Sequence, residues 1–293
     1  MDIRLGRHPA VDRPWPEPPP VVNPISPIEA SEPAPVRAYG VELFEALNAE
    51  YATHPLVTAA PTYEFDAVAR RSRERLTGIH DRIGLEGRTV LEVGCGAGFE
   101  VWYLAHHFGS DAWGIDVSAR EGWPALRGEH VHLIEGDMAA DHGLAPNSFD
   151  RAISSTVWEH ITHPEAALRE LYRVLKPGGL AWIRANLYRG PTASHRYRDI
   201  TFPFPHLLFH DDVIAAALQR AGKKSEGAAW VNKLTWEQYE ATMLRLGFRI
   251  RSLKFDLYPL DESFYARFED VLGRYPRADL ERGFFTVVLE KPR

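Results

Sequence analysis

The 293 residues predict a doubly wound α/β fold, a mostly parallel sheet of seven strands that ends in an antiparallel C-terminal pair. Three observations carry that reading. Residues 89–93 form a short apolar run that enters a turn with glycines at 94, 96 and 98, and an amphipathic segment follows at once. Further apolar runs at 112–117, 131–135, 149–155 and 180–185 alternate with helical patterns, and carboxylates stand at or just past the ends of two of them. Two runs rich in β-branched and aromatic residues, 248–255 and 284–289, close the chain.

Taken in order, the chain begins with prolines at 9, 14, 16, 18, 19, 20, 24, 27, 33 and 35, which forbid a helix or a central strand and predict an extended segment over 1–36. Two helices are expected within 37–86. One lies near 41–52 with Leu43, Phe44, Leu47 and Tyr51, the other near 64–83 with Phe65, Val68, Ala69, Ser72, Leu76, Ile79 and Ile83 at helical period. Arg70, Arg71, Arg73 and Arg75 fall opposite that stripe and read as a solvated face. The main domain is expected over 87–293, interrupted at about 187–232 by an insertion unlike a simple connection.

The glycine turn is where chemistry is expected. Glycine takes backbone angles closed to other residues and has no side chain, so a ligand can approach the backbone, and the next helix points free N–H groups at the same spot. The spacing is G-x-G-x-G, with Phe99 where the dinucleotide fingerprint needs its last glycine. Asp116 follows Gly98 by eighteen residues, at the end of the second strand, where a carboxylate can accept both hydroxyls of a ribose; the competing reading is a turn cap. Asp137 and Met138 stand just past the third strand, and Trp158-Glu159-His160-Ile161 follows the fourth. An amphipathic helix over 166–176 then stops at Pro177-Gly178-Gly179 ahead of the fifth strand.

These pieces together, over roughly residues 60–190, resemble the class I S-adenosylmethionine-dependent methyltransferases. The resemblance implies S-adenosyl-L-methionine as cofactor, held by Glu92, Gly94, Gly96, Gly98, Asp116, Val117, Asp137, Met138 and Ser154. It places Asp137 at the adenine amino group and Met138 over the ring. The final strand pair is what separates a methyltransferase sheet from a plain dinucleotide-binding one. Phe99 and that pair both disfavour a nicotinamide-dependent oxidoreductase. A nitrogen or carbon methyltransferase and an inactive cofactor-binding subunit stay open beside the leading expectation, methylation of a small-molecule hydroxyl on a secondary metabolite or saccharide.

The insertion mixes Arg189, His195, Arg196, Tyr197, Arg198, Asp199, His206 and His210 with Phe202, Phe204, Leu207, Leu208 and Phe209. It reads equally as a substrate pocket or as a hydrophobic plug or dimer contact, with Asp211 capping a helix over 213–218. His195 is the first choice of general base and His160 the second.

The formal net charge of −6 argues against a nucleic-acid partner. The single cysteine, Cys95, excludes a disulfide within the chain and reads as a small residue filling the turn. No metal site is expected, because the Asp and His residues show no ligand spacing. No apolar run is long enough for a membrane and the N-terminus has no signal-like core, so a cytoplasmic protein is expected, with a homodimer as the open partner question.

Overall fold

The computed structural model describes residues 39–57, 65–223 and 232–293. The proline-rich segment 1–36 and residues 224–231 of the insertion lie outside the described residues.

Seven strands form one sheet: β1 (Thr89–Val93), β2 (Asp111–Asp116), β3 (Val131–Glu135), β4 (Phe149–Ser155), β5 (Leu175–Asn186), β6 (Arg249–Leu257) and β7 (Arg282–Glu290). Their order is β3-β2-β1-β4-β5-β7-β6. Pairing is parallel from β3 through β5, and β7 runs antiparallel to both β5 and β6, as the sequence predicts. Strand order reverses at β1, whose neighbours are β2 on one side and β4 on the other. The carboxyl ends of β1 and β4 therefore diverge and open the crevice in which doubly wound sheets hold ligands.

Alternation along β1 sets the two faces. Val90 enters a core with Leu76, Ile79 and Ile83 of α2 (Phe65–Ile83), Val101 and Leu104 of α3 (Phe99–Phe108), and Trp123 of α4 (Trp123–Leu126). Leu91 and Val93 turn the other way, into a core with Leu168, Leu171 and Val174 of α5 (Pro164–Val174). A Thr235–Gln238 capping box starts α8 (Trp236–Arg245), which adds Trp236, Tyr239 and Met243 to that core. The helix before β5 ends at Val174, and Pro177-Gly178-Gly179 lies inside the long strand rather than ahead of it. The irregularity falls where β5 pairs β4 between Phe149 and Arg151, and the Gly178 N–H is taken by the Lys291 carbonyl.

A third core caps one end of the sheet. Phe44 and Leu47 of α1 (Val41–Glu50) pack on Phe202, Phe204 and Phe209, on α6 (Pro205–Leu208) and α7 (Asp211–Arg220), and on α9 (Glu262–Arg267), α10 (Glu269–Leu272) and α11 (Arg277–Glu281). The insertion's aromatics thus form a plug with α1. Two local readings need correction. His210, not Asp211, is the N-cap of α7, and Asp211 sits in the first turn where its charge meets the helix dipole. Arg75 is only partly solvated: its guanidinium pairs with buried Glu100 of α3 and faces Glu92, and burial holds its pKa down.

Candidate active site

The glycine turn is held open by its neighbours. Gly94, Gly96 and Gly98 all have positive φ, at 77°, 50° and 81°. A Cβ at Gly94 would overlap the side chain of Val157, whereas one at Gly96 would meet nothing within 4 Å, so the turn is open at Gly96. Two contacts that the spacing gives no hint of fix its backbone. Asp116 Oδ2 accepts the Gly96 N–H at 2.8 Å, and buried Trp123 donates Nε1–H to the Gly96 carbonyl at 2.8 Å. Cys95 fits as expected, packed on Gly114, where a Cβ would lie 2.8 Å from its Sγ. Burial pushes its thiol pKa up, so it carries no nucleophile.

A cleft of about 80 Å³ opens beside this turn, lined by Gly94, Asp116, Val117, Asp137, Met138, Val157 and Ile161, among others. Val117 is 68% exposed at its lip, and Met138 is buried at its base. Asp116 Oδ1 also accepts the Ser118 N–H at 3.2 Å, so it caps a turn and clamps the glycine loop, with lone pairs left for a ligand. Asp137 Oδ1 accepts the Ala139 N–H at 2.8 Å, and its side chain remains exposed. Ser154 does not line the cleft: its buried hydroxyl donates to the Val93 carbonyl at 2.9 Å and ties β4 to β1. Glu92 points to the opposite face of the sheet from Val93, toward Arg75. Its carboxyl pKa is pushed up to about 8 by burial, against the pull of Arg75, and Oε2 has no hydrogen-bond partner.

A second cluster of polar side chains is built at the end of β4. Val157 and Ile161 line the cleft, and the 3-10 turn between them, Trp158–His160, presents Glu159 and His160. Asn232, just past the insertion, locks this turn: its N–H donates to the Glu159 carbonyl at 2.7 Å and its Nδ2 to the Trp158 carbonyl at 2.7 Å. Tyr239 Oη donates to the same Trp158 carbonyl at 3.2 Å. The insertion then brings His195 against His160, rings 4.8 Å apart and edge to face. Thr156 and His195 both take left-handed backbone angles, φ 57° and 54°, which cost free energy in residues with a Cβ and concentrate at functional sites.

The electrostatics of this cluster follow from burial. His195 is pushed down to about 4, mainly by burial and then by His160, so its imidazole is neutral at pH 7. His206, fully buried, donates Nε2–H to the Tyr188 carbonyl at 2.6 Å and is also pushed down to about 4. The Glu159 carboxyl is 1% exposed and pushed up to about 7 by burial. Backbone N–H groups of Glu159 and Asn186 face its oxygens but fall outside hydrogen-bond geometry, leaving both without a partner. Ligand atoms of Glu159, His160 and His195 lie within 4.8 Å of one another. The expectation of no metal-ligand grouping rested on sequence spacing, and this one is assembled across an intervening strand and turn.

A larger groove of about 530 Å³ lies elsewhere, between α2 and the strands β5, β7 and β6, and none of the glycine-turn residues lines it. No helix among the described residues is long and apolar enough to cross a membrane.

The profile of the methyltransferase domain family matches residues 91–183, which run from β1 through the glycine turn and the Glu159-His160 turn into β5. Residues 91–183 are therefore similar to a methyltransferase domain. Among curated relatives, a ubiquinone biosynthesis O-methyltransferase of Pseudomonas paraeruginosa is 31% identical over 128 residues, 41% of this chain and 53% of that one. An uncharacterized methyltransferase of Mycobacteroides abscessus is 32% identical over 150 residues, 47% of this chain and 56% of that one. The chain thus spans about half the length of the curated relatives it matches. A crystal structure of a putative S-adenosylmethionine-dependent methyltransferase from Listeria monocytogenes superposes over 77% of this chain and 100% of that chain with a TM-score of 0.51 at 20% identity, which supports the fold.

Proposed function

We propose that the chain is an S-adenosylmethionine-dependent methyltransferase that methylates a hydroxyl oxygen of a small molecule. The observation that carries the reading is the glycine turn: Asp116 holds the Gly96 N–H and, with Gly94, lines a cleft whose far wall is Asp137 and Met138. The residues present fit the cofactor. Asp116 retains acceptor capacity for ribose hydroxyls, Asp137 is exposed for an adenine amino group, Val117 and Met138 offer apolar surface to the ring, and Glu92 is a buried carboxyl beside the turn with one oxygen unpartnered.

S-adenosylmethionine, when bound, supplies a methyl group on a sulfonium that is an excellent leaving group. What the chain must add is position and a competent nucleophile. The turn locked by Asn232 puts Glu159 and His160 next to the cleft, and the insertion adds His195. We assign the acceptor hydroxyl to this pair of imidazoles, with His195 ahead of His160 as the group that takes its proton. An aliphatic hydroxyl needs such help more than a phenol does. The Pseudomonas relative is a ubiquinone biosynthesis O-methyltransferase, which supports oxygen over nitrogen or carbon as the acceptor atom.

The test is to incubate the full chain with methyl-labelled S-adenosylmethionine and a panel of phenols, sugars, hydroxylated metabolites and amines, and to find the label by mass spectrometry. Label on a hydroxyl oxygen is expected. Label confined to amines would refute the acceptor assignment, and cofactor turnover with none of these would refute the small-molecule reading.

A further inference from the structure

Among the described residues, no group makes a well-formed hydrogen bond to the buried carboxylate of Glu159. Both of its oxygens are buried, the backbone N–H groups of Glu159 and Asn186 only face them, and such an arrangement costs free energy unless a cation or a donor completes it. Arg184, whose charge also reaches the carboxyl, is paired with Asp256, whereas ligand atoms of Glu159, His160 and His195 lie inside 4.8 Å of one another. Two imidazoles and one carboxylate are the donor set of catalytic zinc sites and of other open divalent sites. The three come from two separate pieces of chain, each held independently. Asn232 and Tyr239 pin the turn that carries Glu159 and His160, and His195 is held in a left-handed conformation by a turn whose N–H bonds the Thr192 carbonyl at 3.1 Å.

We propose that Glu159, His160 and His195 form a divalent transition-metal site, with zinc as the fitting ion, on the acceptor side of the methyltransferase cleft. Around one zinc at bond lengths of roughly 2.0–2.2 Å, ligand atoms stand about 3.4 Å apart, so donors now within 4.8 Å of one another have to draw in by a little over ~1 Å when an ion binds. Three protein ligands leave a fourth position open. His160 is exposed and its neighbours Val157 and Ile161 line the cleft, so the cluster can be reached from that side. A hydroxyl bound there loses its proton more readily: the O–H bond breaks, its electron pair stays on the metal-bound oxygen, and the proton leaves to water. The inference rests on the proposed methyltransferase reading and changes how the two histidines serve it, from taking the proton themselves to holding the ion that releases it.

The experiment is a titration of the chelator-treated full chain with Co²⁺, read by visible d–d absorption and by calorimetry, alongside a separate titration with S-adenosylmethionine. One Co²⁺ per chain is expected, displaced by Zn²⁺, and weakened at least about tenfold in Glu159→Gln, His160→Ala and His195→Ala, since loss of even an outer-shell partner costs that much. His160→Ala alters an exposed side chain, so it stays informative if the two buried variants fold poorly. His130→Asn, on an exposed histidine far along the chain, should bind as the parent does. Cobalt binding that survives all three ligand variants, or no cobalt binding while S-adenosylmethionine binds normally, would overturn the metal site and leave the direct-base route standing. Failure to bind S-adenosylmethionine would instead count against the methyltransferase reading itself.

Discussion

Asp116 Oδ2 accepts the backbone N–H of Gly96 at 2.8 Å, so the carboxylate that ends β2 also sets the shape of the turn that ends β1. One side chain thereby couples the ribose end of the cleft to the glycine cradle. Asp116→Ala should remove both functions and lower S-adenosylmethionine affinity by about 2 kcal/mol or more, because charge-assisted hydrogen bonds are lost together. Asp116→Asn keeps a carbonyl acceptor for Gly96 and should fall between the two. Calorimetric affinities for the three proteins decide this, and parent-like binding by the alanine variant would place the ribose elsewhere.

Gly94 and Gly96 should respond differently to the same substitution. Both hold positive φ, which costs roughly 1–2 kcal/mol for alanine. Only at Gly94 does the new Cβ overlap Val157, so Gly94→Ala should also lower Tm markedly. Gly96→Ala meets no protein atom at its Cβ and should retain more of the melting temperature while weakening cofactor binding, since the new methyl stands on the open face of the turn. Equal losses of stability in the two variants, with Gly96→Ala binding the cofactor as the parent does, would show that the ligand does not lie against this turn.

Glu92 makes cofactor affinity depend on pH. Its carboxyl is raised from 4.5 to about 8, so the free protein holds the proton at neutral pH. The sign for stability follows from that shift: the folded state binds the proton more tightly than the unfolded chain, and stability contributed by the protonated group declines as pH rises from 4.5 toward 8. A ligand whose ammonium pairs with Glu92 favours the ionised form, so S-adenosylmethionine should bind more tightly as pH rises through this window and release a proton at pH 7. Calorimetry in buffers of different ionisation enthalpy measures that proton, and Glu92→Gln should abolish it. A pH-independent affinity would remove Glu92 from the cofactor site.

His195→Ala should lower kcat by about 10²–10⁴-fold with S-adenosylmethionine affinity unchanged, whether His195 takes the proton itself or helps to hold an ion. A purely packing role would show instead as a lower Tm with nearly normal turnover. Measuring kcat, cofactor affinity and Tm on one preparation separates these outcomes.

What could be read from the sequence was what is local. Gly94, Asp116, Asp137 and Met138 each sit at or within a few residues of a strand end, where the apolar runs place them, and the family resemblance supplied their expected roles. The antiparallel C-terminal pair was legible from the two closing apolar runs together with that resemblance, whereas the order β3-β2-β1-β4-β5-β7-β6 comes from the structure. What was not legible depends on contacts between distant segments. His160 and His195 meet although β5 lies between them in the chain, and Asn232 reaches back to Trp158 and Glu159 across 74 and 73 positions. Arg75 looked solvated on a helical wheel because the wheel does not show Glu100 of the neighbouring helix. Ser154 was assigned by position along β4, and strand pairing turned its hydroxyl onto Val93. In the insertion, the aromatics became a core with α1 because α1 supplies Phe44 and Leu47, a pairing with no sequence signal of its own.

The most direct test of the central claim is a calorimetric titration of the full chain with S-adenosylmethionine, S-adenosylhomocysteine and NAD. Binding of the first two with dissociation constants on the micromolar scale, about 8 kcal/mol, and no binding of NAD are expected. Tight binding of NAD with none of S-adenosylmethionine would contradict that claim.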